Sequence, residues 1–484
     1  MTDQPKIKSL GRRAVIKAGG AAGLMAAMGI SIADVRTATA QAAVRTRYNA
    51  NDPTHGKAAT DNYREAVKQM RALPSSDARN WITQASIHAD HCPHGNWYFL
   101  PWHRAYLLAL ENIIVDLTQE PTLGIPYWNW TDDRLMPPAV AKSDIAGALY
   151  DDTRTMQPNQ GLDGVLGAGK AEAIFGHPNM DDILANTVYQ NFGSYMPTGQ
   201  DSIDPDRWQR AGGRKAQLES QPHDYCHGAV GGHMGSVPVS ARDPVFYMHH
   251  GNIDRTWAKW TQMGNLNESN VYWRTFKFIQ NFWTADGSSK YDVQVDTLGS
   301  TLQLGYVYDD VPATVTTSLL MKQGTQESVR AESYAITKTA LNVTLNNVAQ
   351  ATLSLPGQSQ EVMKDVMTLR AAAPKRLYAF IDGISAPADK QVSVRVFLNC
   401  DYLTPDTPSS DPHYAGAFTF FVNPDHMDGG QSVAVDLTDA IEDLNRHGVD
   451  VGDELRVQLL ATAFDGTPVG SAGFSVGSIE IAGL

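Results

Sequence analysis

The 484-residue sequence holds only three cysteines, Cys92, Cys226 and Cys400. So low and odd a count excludes a disulfide framework, and without a CxxC pair there is no structural zinc ribbon. Long apolar runs are also missing. The stretch from Ala18 to Ala33 is uncharged but rich in Ala and Gly, and it is too short to cross a bilayer. Positive charge is scarce as well: the formal net charge is −13, and because the first forty residues carry a surplus of four positive charges, the remainder stands at −17. That balance argues against nucleic acid or an anionic membrane surface as the main partner. Internal repeats and long low-complexity segments are absent too. The rest is ordinary globular composition, 42% hydrophobic, in a chain long enough for two or more domains.

The N-terminus has the order of an export signal. Arg12 and Arg13 precede the weakly apolar stretch, and TATAQAA follows with Ala38 and Ala40 in small-x-small spacing. Paired arginines before a weak apolar region resemble a twin-arginine signal, so residues 1–43 are expected to direct export to the periplasm or medium. After its removal no membrane association is expected.

Two textures follow. Between residues 46 and 261 the chain is rich in Trp, His and helix-compatible runs. Spacing predicts a helix from Ser76 to His88, another from Phe99 with Pro101 tolerated in its first turn, and a third opened by Asp243-Pro244. A fourth is expected over Leu218–Val230, entered at Pro222, while residues 131–210 read as mostly irregular. After residue 300 period-two alternation takes over, as in Val392, Val394, Val396 and Leu398, with turn residues between the runs. The expected architecture is a mainly α domain built on a four-helix bundle (44–309), a connector (310–372) and an all-β, sandwich-like C-terminal domain (373–484).

Ten of the fourteen histidines lie between positions 88 and 250. His223 and His227 are four apart and project from one helix face, a chelating geometry. His249 and His250 are adjacent and diverge, so at most one of them joins a given metal. His94 and His103 meet only if the first comes from a loop and the second from the helix that follows. Two groups of three neutral imidazoles, with no carboxylate at ligand spacing, suit copper better than iron or zinc. Zinc hydrolysis on the same histidines would more naturally use a carboxylate within reach of the metal.

The residues also carry a resemblance. HGNWYFLPWHRAYLLALE, His94 to Glu111, and DPVFYMHHGNID, Asp243 to Asp254, resemble the two copper motifs of tyrosinases, catechol oxidases and molluscan haemocyanins. Tyr306 and Tyr308 in LGYVYDD resemble the tyrosine motif that closes the core domain of plant-type polyphenol oxidases. The β region more weakly resembles the C-terminal domain of those enzymes. The chain thus looks like a bacterial member of the family with a plant-like β domain.

The resemblance implies two copper ions. One is held by His94, His103 and a third histidine, expected to be His88 with His91 as the alternative. The other is held by His223, His227 and His250, with His249 beside it. It further implies a thioether bond between Cys92 and His94, a water held by Glu219, and a base role for Asp224 towards that water or a phenolic proton. Val237 stands where plant catechol oxidases place a bulky Phe over the metal, and its small side chain leaves room for a ring. Asp254 is expected either to fix a ligand imidazole or to pair with Arg104 or Arg255. The implied activity is oxidation of o-diphenols to o-quinones by O2, with monophenol hydroxylation as well. A catechol oxidase without monophenolase activity and a haemocyanin-like oxygen carrier are the alternatives. The implied partners are phenolic small molecules and O2.

Overall fold

Asn80, not Ser76, starts the second helix, because Pro74 to Asp77 form a turn and the Asn80 side chain accepts the Ile82 N–H. The computed structural model describes residues 44–197, 208, 211–311, 332–337, 340–355, 376–387, 391–421, 430–449, 451, 453–465 and 473–483. The expected export signal lies outside these residues, as does most of the expected connector. Among the described residues no helix is long and apolar enough to cross a membrane.

The helices that matter here are α1 (Gly56–Ala72), α2 (Trp81–His91), α3 (Phe99–Thr118), α4 (Asp224–Val230) and α5 (Val245–Gln262). Helix α2 runs three residues past His88, so His91 is helical and not in a loop. The segment Glu219–His223 forms a π turn that leads straight into α4, with Pro222 inside it rather than at its entry. A wide turn relieves the bond that a proline cannot donate. Asp243 accepts the Val245 N–H at the start of α5, one residue earlier than a standard cap. These helices share one apolar core in which Trp97, Trp102, Trp128, Trp130, Trp257 and Trp260 are all buried.

The expected irregular stretch 131–210 is a correction. It carries a run of short helices, among them Gly161–Leu166, Ala168–Phe175 and His177–Ala185. Each is nine residues or fewer and is bounded by Gly or Pro, too short for its period to be read.

Strands β1 (Arg45–Arg47) and β2 (Tyr306–Tyr308) pair in parallel and tie the two ends of the helical half together. Between them and the bundle, Arg47 donates to Glu111 and to Asp254 at 2.8 Å, and both Tyr306 and Tyr308 donate to Asp254 at 2.7 Å. Every charge in this buried knot has a partner, which is the condition for tolerating it away from water.

The β half is a sandwich of two antiparallel four-stranded sheets. Its strands are β3 (Glu332–Thr337), β4 (Leu341–Val343), β5 (Val348–Ser354), β6 (Leu377–Ile384), β7 (Val392–Leu398), β8 (Tyr414–Phe418), β9 (Gln431–Asp436), β10 (Glu454–Ala463), β11 (Phe474–Val476) and β12 (Ser478–Gly483). One sheet has the order β8-β7-β10-β5 and the other β9-β6-β12-β3, while β4 pairs with β11. The sandwich therefore begins before residue 373: β3 and β5, placed in the connector by sequence, are edge strands of its two sheets. One helix, Thr438–Arg446, also interrupts the otherwise all-β half.

Strand β7 is buried at every position, where a strand facing water on one side would alternate. Val392, Val394, Val396 and Leu398 enter the sandwich core, while Ser393 meets the Tyr225 hydroxyl of α4 at 2.7 Å. The two halves interlock at many such points. Lys215 pairs as an isolated parallel bridge with Val433 of β9, and Arg214 forks onto Asp382. At Gly228 an added Cβ would lie 2.9 Å from the Phe464 ring, so a side chain there would push the halves apart. From Arg45 onward the chain is one compact unit.

Candidate metal centre

Six imidazoles converge where α2, α3, α4 and α5 meet. His88 lies in the last turn of α2, His94 in the loop that follows, and His103 in the first turns of α3. Their ring centres are 5.4–5.6 Å apart. His223 ends the π turn, His227 lies one turn on in α4, and His250 projects from α5, with ring centres 4.6–5.4 Å apart. The trios abut: His103 and His250 stack at 4.3 Å and 9°, and His94 lies 5.6 Å from His223.

Hydrogen bonds fix which nitrogen four of the six rings offer. The Nδ1 atoms of His88, His103 and His227 donate to the carbonyls of Val237, Phe99 and Met234 at 3.0, 2.7 and 2.8 Å. His223 Nδ1 lies 2.8 Å from Asp224 Oδ1. With Nδ1 carrying the proton, Nε2 presents its lone pair. The Nε2 atoms of His94, His103 and His223 are buried without a hydrogen-bond partner, and those of His227 and His250 face each other at 3.3 Å. Each unmet buried nitrogen costs about 1–3 kcal/mol, so the site is built to be completed by something that accepts lone pairs. A proton is a poor candidate: burial pulls His94, His223, His227 and His250 well below the usual imidazole range and His103 down to about 3. Neutral nitrogens that face inward in two groups fit two metal ions.

The flanking residues hold this arrangement. His249 takes a hydrogen bond from Trp130 Nε1 at its Nδ1, 3.2 Å, so its proton falls on Nε2, which is buried without a partner beside His223, His227 and His250. Glu219 is fully buried, with Oε1 on the Gly95 N–H (2.7 Å) and Oε2 on the Ser194 hydroxyl (2.6 Å). Gly95 follows His94 in the left-handed region, φ 70°, so Glu219 pins the loop of one trio from the segment that carries the other. Asp224 uses one oxygen on His223 and the other on Lys215 Nζ at 2.6 Å. Burial pushes the Asp224 and Glu219 carboxyls upward, and the Lys215 ammonium pulls both back.

Val237 is buried, and its carbonyl is the anchor of His88. Cys92 Sγ lies within 4.8 Å of ring nitrogens of both His88 and His94. His91 is half-buried and is the last residue of α2. Asp254 does not reach an imidazole. It is taken by Arg104 at 2.5 Å, by Arg47 and by the two tyrosines, while Arg255 pairs with Asp310.

Two residues without a motif complete the site. Phe421, three residues beyond β8, lies flat on His227 at 3.9 Å and 17°, with its ring edge-on to His94 at 5.4 Å and His223 at 5.5 Å. Lys215 donates from Nζ to the Phe421 carbonyl at 2.8 Å as well as to Asp224.

A family model for the common central domain of tyrosinase matches residues 45–263. The chloroplastic polyphenol oxidase of Malus domestica is 26% identical over 414 residues, which cover 76% of this chain and 67% of that protein. Tyrosinase HcTyr1 of Hahella sp. (strain CCB-MM4) is 27% identical over 283 residues, 51% of this chain and 59% of that protein. The solved structure of latent apple tyrosinase shares the fold, with a TM-score of 0.67, 24% identity, and 91% of this chain and 98% of that one covered. Residues 45–263 thus carry the common central domain of tyrosinase, the chain is similar to type-3 copper polyphenol oxidases over most of its length, and its β half shares the fold of the C-terminal domain of the plant enzymes. Its histidine clusters are consistent with a dicopper centre.

Proposed function

We propose that this protein is an exported polyphenol oxidase that holds two copper ions and oxidises o-diphenols to o-quinones at the expense of O2. The inward-facing, partnerless Nε2 atoms carry this reading. His88, His94 and His103 would hold one ion and His223, His227 and His250 the other. When bound, the copper pair supplies the redox chemistry with O2. The chain itself supplies orientation: carbonyls and Asp224 fix four of the rings, Glu219 fixes the loop of His94, and a proposed Cys92–His94 thioether would lock that loop covalently. The aromatic walls exclude water from the reacting space.

Monophenol hydroxylation is the lesser part of the proposal. A small residue at Val237 favours it by the family resemblance, but both Asp224 oxygens are engaged, so a phenolic proton must compete with Lys215 or His223 for that carboxylate. The β half acts as a cover, because Phe421 occupies the face of His227 that a substrate ring would use. Copper quantitation with O2 uptake on catechol and on phenol, before and after limited proteolysis, tests the whole reading. Two coppers per chain and catechol turnover that rises on cleavage are expected. A copper-loaded chain that binds O2 reversibly but turns over no catechol would overturn it, and no uptake with phenol even after a lag would make it a catechol oxidase. An intact mass about 2 Da below the sum of residues would mark the thioether, two hydrogens having left.

A further inference from the structure

A second group of ligand-type side chains lies in the β half. Strand β7 ends in a turn at Asn399, φ 51°, and Cys400 follows, buried. Gln458 of β10 holds both main-chain groups of Cys400, accepting its N–H at 2.7 Å and donating to its carbonyl at 2.9 Å. The chain then loops out and returns with Asp411 and His413. The return is fixed to the same strand end: the Leu398 N–H donates to the His413 carbonyl at 2.8 Å, and His413 Nδ1 donates to the Leu398 carbonyl at 2.6 Å.

That last bond gives His413 the tautomer seen at His88, His103 and His227. Nδ1 holds the proton and Nε2 carries the lone pair, and among the described residues nothing bonds Nε2. Asp411 is aimed by the His413 N–H (3.0 Å) and the Tyr402 hydroxyl (3.1 Å). A thiol, an imidazole nitrogen and a carboxylate oxygen thereby come within 4.8 Å of one another. Cys400 is a free thiol. Packing alone would explain a buried cysteine, but not an oriented imidazole and carboxylate turned towards it.

We propose that Cys400, Asp411 and His413 form a metal site, separate from the histidine pair, for one divalent ion of the zinc type. A sulfur, nitrogen and oxygen donor set is the mixture zinc accepts at about 2.0–2.3 Å, with water in the fourth position. Calcium and magnesium want oxygen donors only, and cuprous ion has little use for the carboxylate. On binding, the thiol loses its proton to solvent, a metal–sulfur bond forms, and no redox partner is needed.

The test uses the full chain with its copper already loaded, exposed to excess Zn²⁺ or Co²⁺ and then desalted. One zinc retained per chain beyond the copper is expected, and with cobalt a near-ultraviolet thiolate charge-transfer band. Cys400→Ser and the near-isosteric Asp411→Asn should each weaken retention at least tenfold while copper content and catechol turnover stay unchanged. A copper-loaded wild-type chain that keeps no third ion would overturn the proposal. So would retention undiminished in both variants. Neither result bears on the reading of the histidine centre, which copper content reports separately.

Discussion

Replacing Phe421 by alanine tests the proposed cover at its point of contact. The ring is buried, stacked on His227 and edge-on to two more imidazoles. A buried Phe→Ala change costs about 3–5 kcal/mol, and here the loss falls on the docked state alone if the ring is exposed when the halves part. At about 1.4 kcal/mol per factor of ten, 3 kcal/mol multiplies the undocked fraction by roughly 150. A second effect acts without undocking, because removing a benzyl group leaves a hole of roughly benzene size beside the metal ligands. Phenol and catechol match that shape. Intact, copper-loaded Phe421→Ala should therefore consume O2 with catechol at least tenfold faster than intact wild type, and cleavage should add little more. The assay is O2 uptake at equal copper content on gel-verified full-length chain. Wild type already as fast as its cleaved form would refute the cover. A variant as slow as intact wild type, with cleaved wild type fast, would refute the role of Phe421 in it.

Other expectations follow from single contacts. Lys215→Met leaves Asp224 buried without its cation and should cost about 3–5 kcal/mol in urea unfolding, with Lys215→Met/Asp224→Asn recovering much of that loss; equal stability of the two would sink the pairing argument. His88→Ala should drop copper from two ions per chain to one, whereas His91→Ala should keep two, so metal content alone decides between them. Asp310 is held at about 2: burial works upward, and Arg255 and Lys259 outweigh it. A carboxyl held below its unfolded value contributes stability that is full above about pH 4 and fades as pH falls towards 2. Because the Asp310 side chain is 38% exposed, Asp310→Asn should cost only about 1 kcal/mol at neutral pH. The gap from wild type should close through that window, and a gap constant from pH 7 to 2 would contradict the assignment.

How much was legible in the sequence depends on how far apart the interacting residues lie. His223 and His227 announce themselves because a helix brings i and i+4 together whatever surrounds it. His94 and His103 are carried by one continuous motif. The sandwich was visible in β7 and β10, whose cores demand apolar alternation, but not in β3 and β5. Those are edge strands with exposed Gln, Thr and Ser, so they need little apolar content. The helices between 138 and 193 were hidden by their brevity.

Lys215 and Phe421 gave no signal at all. One is an unremarkable lysine before a helix and the other one of several phenylalanines in a strand-rich stretch. Their meaning comes from two hundred residues of separation closed by β9. Asp224 shows the limit in another way: its position beside His223 suggested a base, and only the geometry shows both its oxygens already engaged.

The flat contact of Phe421 on His227 has a consequence for the order of events in the life of the molecule. If the β half covers the histidines, the ions must arrive while the halves are still apart, so docking records that loading has happened. A chain that docks early would be sealed without its metal and could not be repaired by adding copper later. Were the chain exported already folded, both loading and sealing would come before the membrane is crossed, leaving only unsealing for the far side.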